Sequence, residues 1–298
     1  MQAIKDQNTG YNLYKAGSVD FTNLSPDQVT ASKNSKAYKV IPSATTAYVE
    51  FNQKNYPVYQ NLKIRQAMSY AIDRKTLANK ILTGTATPAT TFTAAKLAKD
   101  PNTGEDFAKS AAVPGAIAYD KTKAKQLMKE GLKETGKKKL AVQLLADDTD
   151  ASKRMAQFIQ AQWQKMDNVK VTIKVVPLKQ RLALSEAKKF QVGIDRWGAD
   201  YADPSSFLDL ATTTSDFNYG SWSDQTYDDA VNAAKTTDVN DPNKRYEDYK
   251  TAEQQIEKQV GVAPLYYQSS ATLMRPSVKN VVLNPVGSPY DWKLAYKK

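Results

Sequence analysis

Residues 140–176 constrain the fold most, because strand and helix patterns alternate there. "KLAVQLLAD" is an apolar run of strand length, "ASKRMAQFIQAQWQKM" carries apolar residues at helical spacing, and "VKVTIKVVP" is rich in β-branched residues. A strand, a helix and a second strand in this order form a unit with parallel strands and a right-handed crossover. The sequence therefore predicts an α/β fold in which helices flank a sheet.

The next elements place a distinctive motif at the end of a strand. "LKQRLALSEAKK" predicts a helix and "FQVGIDRW" a strand, so "DRWGADYADP", residues 195–204, lies at a carboxyl end. Ligand sites in α/β sheets favour that position. Three Asp residues beside a Trp and a Tyr fit three kinds of chemistry: a metal site, acid/base catalysis, or a receptor for a cationic ligand.

The first part of the chain predicts short elements followed by a long surface loop. A helix ended by Gly17, a strand, and a helix beginning at Ser25 precede two β-rich runs, "YKVIP" and "TAYVEFN". Two helices follow, the second capped by Asp73 and ended by Gly84. Residues 85–118 contain many turn residues and predict an excursion over the surface.

The last part of the chain predicts two helices and several strands. The helices are expected to have Ser223 and Asp241 as their caps. Residues 261–276 predict a pair of strands, and the alternating residues 278–298 predict a closing edge strand.

Composition excludes several kinds of active site and partner. The absence of Cys and His excludes thiol nucleophiles, Ser-His-Asp triads and His general bases, and it argues against zinc. The net charge is +11, but only seven of the 42 cationic residues are Arg, the type preferred for phosphate and base contacts. We therefore expect no nucleic-acid partner, and a solvated surface that faces a polyanionic cell envelope.

Other motifs give little support to catalysis or cofactor binding. "DDTD", residues 147–150, lacks the spaced ligands and the Gly of a calcium loop, so it is expected to cap the following helix. No glycine-rich phosphate loop occurs, and no cofactor is expected. Composition does not exclude a carboxylate pair for glycoside hydrolysis, but no pair is singled out. No apolar run is long enough to span a membrane, and the amino terminus lacks a signal-peptide pattern.

Several stretches together resemble one family across nearly the whole chain. "NLKIRQAMSYAIDRKTLANKILTGTATPA", "RWGADYADPSSFLD", "SDQTYDDAV" and "VAPLYY" resemble, in order and spacing, the extracellular oligopeptide-binding proteins of ABC transporters. The resemblance implies a periplasmic-binding-protein-like type II fold with a mixed sheet. It also implies a fragment, with residues 1–45 and 268–298 as parts of a first lobe and 46–267 as a complete second lobe.

The resemblance assigns ligand-binding roles to residues around the motif. Asp200 is expected to hold the peptide ammonium, since a carboxylate flanked by aromatic side chains suits a cation. The backbone of Trp197, Gly198 and Ala199 is expected to pair with the extended peptide. The remaining expected ligand-binding residues are Tyr201, Arg196, Asn23, Ser43 and Tyr266.

Alternative interpretations remain for some of these residues. Asp200 could cap a turn and Trp197 could belong to the core, while Asp203 before a proline is expected to be a turn residue. Some family members carry basic side chains for the peptide carboxylate a few residues before the Trp, and here Ile194 and Ser185 occupy those positions.

The predicted function is therefore a non-enzymatic solute-binding protein that delivers oligopeptides to the membrane subunits of an ABC importer. The resemblance implies an extracellular location, as a cell-surface lipoprotein or in the periplasm, with any lipid anchor absent from this chain. Two alternatives stay open. One is a binder of another solute on the same fold, such as an oligosaccharide or a metal chelate, and the other is a hydrolase that uses Asp or Glu.

Overall fold

The fold was analysed in a computed structural model, which describes residue 4 and residues 6–298. The α-helices are α1 (Gln7–Lys15), α2 (Pro26–Ser32), α3 (Leu62–Tyr70), α4 (Arg74–Thr76), α5 (Phe107–Ser110), α6 (Lys121–Glu134), α7 (Asp150–Trp163), α8 (Leu178–Glu186), α9 (Ser205–Leu208), α10 (Gln225–Lys235) and α11 (Pro242–Lys258). The strands are β1 (Phe21–Asn23), β2 (Tyr38–Phe51), β3 (Ala86–Pro88), β4 (Leu140–Asp147), β5 (Val169–Val176), β6 (Val192–Gly198), β7 (Val262–Met274), β8 (Val278–Lys279), β9 (Val282–Leu283), β10 (Tyr290–Asp291) and β11 (Tyr296–Lys297). A π-helical turn (Leu77–Ile81) follows α4, and 3₁₀ turns occupy Pro57–Gln60 and Asp209–Ala211.

One mixed sheet of seven strands organises the chain. Its order is β1-β7-β2-β6-β4-β5, and β3 also pairs with β7. β4 runs parallel to both β5 and β6, whereas β2 runs antiparallel to β6 and β7. The strand–helix–strand unit β4-α7-β5 is therefore present as predicted, and the predicted mixed α/β fold is confirmed.

One prediction about strands near the sheet centre is confirmed and one is wrong. The β-rich runs "YKVIP" and "TAYVEFN" both lie in one strand, β2, whereas residues 262–274 form one strand, β7, rather than a pair. β2 and β7 pair along their whole length, and a register shift between Pro42 and Thr46 absorbs the irregular residues. The residues between Pro42 and Thr46 look like a turn in the sequence, but they form a local bulge that leaves both strands continuous.

The apolar core falls into separate clusters. The largest packs α3, α6 and α7 against the sheet, and Trp163 at its centre is fully buried with its indole N–H donating to the Met68 carbonyl at 2.8 Å. A second cluster lies among α9, α10, α11 and residues 89–111. A small third cluster contains Tyr14, Leu24, Val29, Ala37, Ala271 and Leu273.

Residues 85–118 do not lie only on the surface, contrary to the prediction. Phe92 and Phe107 are buried, and two buried glutamates of α11 hold this segment. The Glu253 carboxylate accepts the Phe92 and Thr93 backbone N–H groups at 2.5 and 3.0 Å, and Glu257 accepts the Val113 N–H at 2.8 Å. Turn-rich backbone can be buried here because side chains from another helix satisfy its polar groups.

Two further predictions about local structure need correction. Residues 278–298 form two short antiparallel strand pairs rather than an edge strand: β9 pairs with β10, β8 pairs with β11 outside them, and Gly287 adopts the left-handed region with φ +70°. Helix α10 is capped by Asp224, which accepts the Tyr227 N–H, and not by Ser223. The prediction that "DDTD" caps the following helix is confirmed, with Thr149 as the capping residue whose side chain accepts the Ser152 N–H. The predicted caps Asp73 and Asp241 are confirmed.

Candidate ligand-binding site

The motif at residues 195–204 begins inside β6 and continues into the turn before α9. β2 borders this strand on one side, with Thr45 opposite Gly198 and the Ala199 N–H donating to the Ala44 carbonyl at 2.8 Å. The chain then leaves the sheet, and the Asp200 N–H donates to the Ser206 hydroxyl at 2.8 Å. The start of α9 therefore fixes the position of the Asp200 backbone.

The three carboxylates of the motif have different surroundings. Asp195 is buried and pairs with Arg181 at 2.5 Å. Asp203 accepts two hydrogen bonds from Arg245, at 2.7 and 2.9 Å, and further bonds from the Ser205 N–H and hydroxyl. Asp200 is exposed, and within residues 6–298 its carboxylate has neither a hydrogen bond nor an ion pair.

Electrostatics supports the same distinction. Burial alone raises the pKa of Asp203, but the hydrogen bonds from Arg245 and Ser205 lower it overall. Asp203 is therefore ionised and already neutralised by Arg245, while its bond from the Ser205 N–H is the one that a turn residue makes. The only carboxylate of the motif that remains available to a ligand, among the residues described, is that of Asp200.

The far edge of β6 is open at its carboxyl end. β4 pairs with β6 only at Val192 and Gly193, while β2 continues to pair up to Gly198. Residues 194–198 therefore have a neighbouring strand on one side only, within the part of the chain that is described. Because backbone groups of a strand point alternately to its two sides, this edge carries backbone groups that no strand pairs, and of these the Arg196 N–H already donates to the Asp195 carboxylate at 2.6 Å.

A cleft of about 830 Å³ opens beside this edge. Its walls come from α1, β1 and α2 on one side, from the turn after Leu77–Ile81 and the start of α7 on another, and from Arg196 and β7. Three of the predicted ligand-binding residues line it, namely Asn23, Arg196 and Tyr266.

Arg196 is anchored at the cleft by a buried carboxylate. Its Nη2 donates to Asp147 at 2.7 Å, and Asp147 also accepts the Thr149 N–H and hydroxyl at 3.1 and 2.5 Å. Burial acts to raise the pKa of Asp147, but the hydrogen bonds from Thr149 and Ser152 and the charge of Arg196 lower it overall. Arg154, from the first turns of α7, lines the same cleft and has no ion pair among the described residues.

The other predicted residues lie along the end of β6 and do not line this cleft. Trp197 is half-buried and packs edge-on against Phe217 with centroids 5.1 Å apart, beside the second core cluster. Its buried indole nitrogen has no hydrogen-bond partner among the described residues. Ser43 lies near Gly198 through the adjacent β2, and Tyr201 is 50% exposed.

Asp147 and Arg154 were not predicted as site residues. The sequence contained a signal for Asp147, because it ends a strand that is parallel to β6, the position that ligand sites favour. That signal was outweighed by the interpretation of "DDTD" as a helix cap. The described residues contain no group of three or more carboxylates, His or Cys that could hold a metal ion, and no helix among them is long and apolar enough to cross a membrane.

A mixed sheet, helices on its faces and a cleft at the carboxyl ends of its parallel strands define a type II periplasmic-binding-protein fold. The comparisons with known proteins agree. The chain belongs to the bacterial extracellular solute-binding proteins of family 5, and the model described as "family 5 Middle" matches residues 1–219. The family resemblance predicted from the sequence is confirmed.

Individual relatives differ in the solute that they are named for. The "Dipeptide-binding protein" of Lactococcus lactis subsp. cremoris is 40% identical over 100% of this chain and 56% of its own length. The "Probable deoxycholate-binding periplasmic protein YgiS" of Escherichia coli is 30% identical over 97% of this chain and 52% of its own length. The solved structure of Listeria monocytogenes OppA bound to peptide is 34% identical with a TM-score of 0.84, and the match covers 99% of this chain and 57% of that one. The chain thus spans about half the length of the relatives that it matches.

Proposed function

We propose that this protein is part of a solute-binding protein that captures oligopeptides and delivers them to an ABC importer, with Asp200 as the receptor for the peptide ammonium. One observation carries the proposal. Asp195 and Asp203 each pair with an arginine, whereas the exposed Asp200 has no partner among the described residues. A charged hydrogen bond from an ammonium would satisfy this carboxylate.

The open edge of β6 supports an extended ligand. The backbone of Trp197, Gly198 and Ala199 continues from a strand whose far side has no neighbour among the described residues. A peptide that adds there as a strand makes main-chain hydrogen bonds, which do not depend on its sequence. Tyr201 follows this edge, where it would contact the ligand's first residues, and Ser43 lies beyond Gly198 on β2, the paired side of β6.

The cleft supports a receptor for the other end of the peptide. Arg196 is held by Asp147 through Nη2, and its side chain also interacts with that of Tyr266. The guanidinium groups of Arg196 and Arg154 would donate to a carboxylate, with Asn23 on the cleft wall. This arrangement replaces the basic residues that are missing at positions 185 and 194.

The lobe boundaries predicted from the sequence are part of the same proposal. The third apolar cluster contains only residues from 14–37 and 271–273, while the first cluster draws on residues 47–266. Residues 1–45 and 268–298 would therefore belong to one lobe and 46–267 to another, with β2 and β7 as connections. Membership of the family supports two further parts of the proposal: delivery to importer subunits, and a periplasmic or lipid-anchored extracellular location.

The test is the substitution Asp200→Asn, with binding of free and N-acetylated peptides measured by calorimetry. A charged hydrogen bond contributes about 1.5 to 3 kcal/mol, so free peptides should bind about ten- to hundredfold more weakly and acetylated peptides almost unchanged. Asp216→Asn, at another exposed carboxylate, is the matched control and should change neither affinity. Equal losses for both kinds of peptide would assign Asp200 to the structure of the turn instead.

A second candidate is another solute on the same fold, which the relative named as deoxycholate-binding favours. Mass spectrometry of ligand released from freshly purified, denatured protein distinguishes the two candidates. A mixture of peptides supports the proposal, and a single non-peptide solute supports the alternative. Turnover without any retained ligand would favour the hydrolase.

A further inference from the structure

A row of lysines on α6 lines a groove separate from the cleft. Lys125, Lys129 and Lys133 are spaced four residues apart, so they lie on one face of the helix. Helix α6 ends before Gly136, which has φ +65°, and the chain turns so that Lys137 and Lys138 line the same groove. This groove, here called the lysine groove, has a volume of about 520 Å³ and shares no lining residue with the cleft.

The charge of the lysine groove is not compensated by the acidic residues of its own helix. Glu130 and Glu134 both bind Lys63, at 2.8 and 2.6 Å. The only ion pair of the groove found among the described residues joins Lys125 to Asp167 at 3.6 Å, and the Asp167 side chain is 84% exposed.

The other lysines of the groove stand without counter-charges. No carboxylate among the described residues lies within ion-pair distance of Lys129, Lys133, Lys137 or Lys138. Like charges four residues apart on a helix repel each other, so this arrangement works against the helix that carries it. A bound anion that spans several lysines would remove the repulsion.

The lining of the groove restricts the kind of anion. Its single apolar lining residue, Leu132, is buried, so nothing offers an apolar contact to a lipid bilayer. It contains neither an aromatic side chain nor an Arg, the groups on which nucleic-acid bases stack. Lysines act as point charges toward phosphate, without the planar recognition that Arg provides.

The spacing of the lysines points to repeated phosphates. Four residues of α-helix rise about 6 Å, so successive lysines of the row are about that far apart along the axis. Phosphates linked through a three-carbon polyol are separated by six single bonds, roughly 7 Å when extended. We propose that the lysine groove binds a linear polyol-phosphate chain, one phosphate to each successive lysine, independently of the peptide site.

The experiment measures binding of fluorescently labelled poly(glycerol phosphate) over a range of salt concentrations. The test variant is Lys129→Gln/Lys133→Gln/Lys137→Gln. The matched control is Lys33→Gln/Lys36→Gln/Lys39→Gln, which removes the same charge from exposed lysines outside the groove. Circular dichroism verifies that both variants remain folded.

We expect the groove variant to bind at least tenfold more weakly than the unchanged protein at low salt. The slope of log affinity against log salt should become smaller by about 2, because each of the three lost phosphate contacts contributes about 0.7 for a single chain. The control variant should keep the slope of the unchanged protein. Equal losses in the two variants would reduce the interaction to net charge and overturn the proposal. It would also be overturned if an oligothymidine of equal charge, or phosphatidylglycerol vesicles, bound as tightly as poly(glycerol phosphate).

Discussion

The substitution Glu50→Gln should remove a pH dependence of stability that the fold builds into β2. Glu50 is 5% exposed, and its Oε1 accepts the Gly220 N–H at 2.8 Å. Burial, and then the negative charge of Asp195, raise the pKa of this carboxyl group from its ordinary value of 4.5 to about 8. The folded protein therefore binds a proton at Glu50 more strongly than the unfolded chain does.

The sign and size of the effect follow from that difference. Stability contributed by the protonated form is fully present below pH 4.5 and is lost as the pH rises through 8. Between pH 5 and pH 8 the unfolded chain releases this proton and the folded protein largely retains it, so the loss amounts to about 3 kcal/mol of unfolding free energy. Gln keeps the acceptor for the Gly220 N–H but cannot ionise, and it should not show this loss.

The assay is urea unfolding followed by tryptophan fluorescence at several pH values from 5 to 8. The unfolding free energy of the unchanged protein should fall by about 3 kcal/mol more than that of Glu50→Gln over this range. Glu130→Gln is the control, because the hydrogen bond from Lys63 lowers the pKa of Glu130 and places its titration below this range. Parallel curves for the unchanged protein and Glu50→Gln would refute the reasoning, since Glu50 would then ionise normally in the fold.

Two further predictions concern packing around α3. Gly131→Ala should reduce the unfolding free energy by about 1 to 3 kcal/mol in the same urea assay, because the added Cβ would lie 2.6 Å from the buried Ile64 Cγ1. The control is Gln126→Ala, on the exposed side of α6, which should have little effect. Trp163→Phe should reduce the unfolding free energy by about 1 to 3 kcal/mol, because the Met68 carbonyl loses its hydrogen-bond donor. Calorimetry should show a lower melting temperature. A melting temperature equal to that of the unchanged protein would show that the carbonyl finds another partner.

Patterns that depend on neighbouring residues could be read from the sequence. The unit β4-α7-β5, the strand β6 and the cap Asp241 depend on apolar period and on side chains within a few positions. The prediction of the α10 cap was wrong because Ser223 and Asp224 are adjacent and both are suitable capping residues. Only the backbone geometry selects Asp224. The continuity of β2 and β7 could not be predicted, because each is maintained by the other strand across the sheet.

Burial of the loop at residues 85–118 depended on partners that are remote in the sequence. Glu253 lies 161 positions after Phe92, and Glu257 lies 144 positions after Val113, the residues whose backbone N–H groups donate to them. Burial raises the pKa of both carboxyl groups. A turn-rich segment looks exposed in the sequence when the side chains that satisfy it lie so far away.

In the candidate site, too, the partners that determine each side chain's role are remote in the sequence. The sequence presents Asp195, Asp200 and Asp203 as three similar carboxylates, and the arginines that distinguish them lie elsewhere, with Arg245 42 positions from Asp203. The two internal ion pairs hold the segment on both sides of Asp200, one inside β6 and one at the turn before α9. The Asp200 backbone is thus positioned without using its own carboxylate, so a ligand ammonium would meet a carboxylate carried on backbone that is already fixed in place. A receptor gains affinity from such preorganisation because little order has to be created on binding.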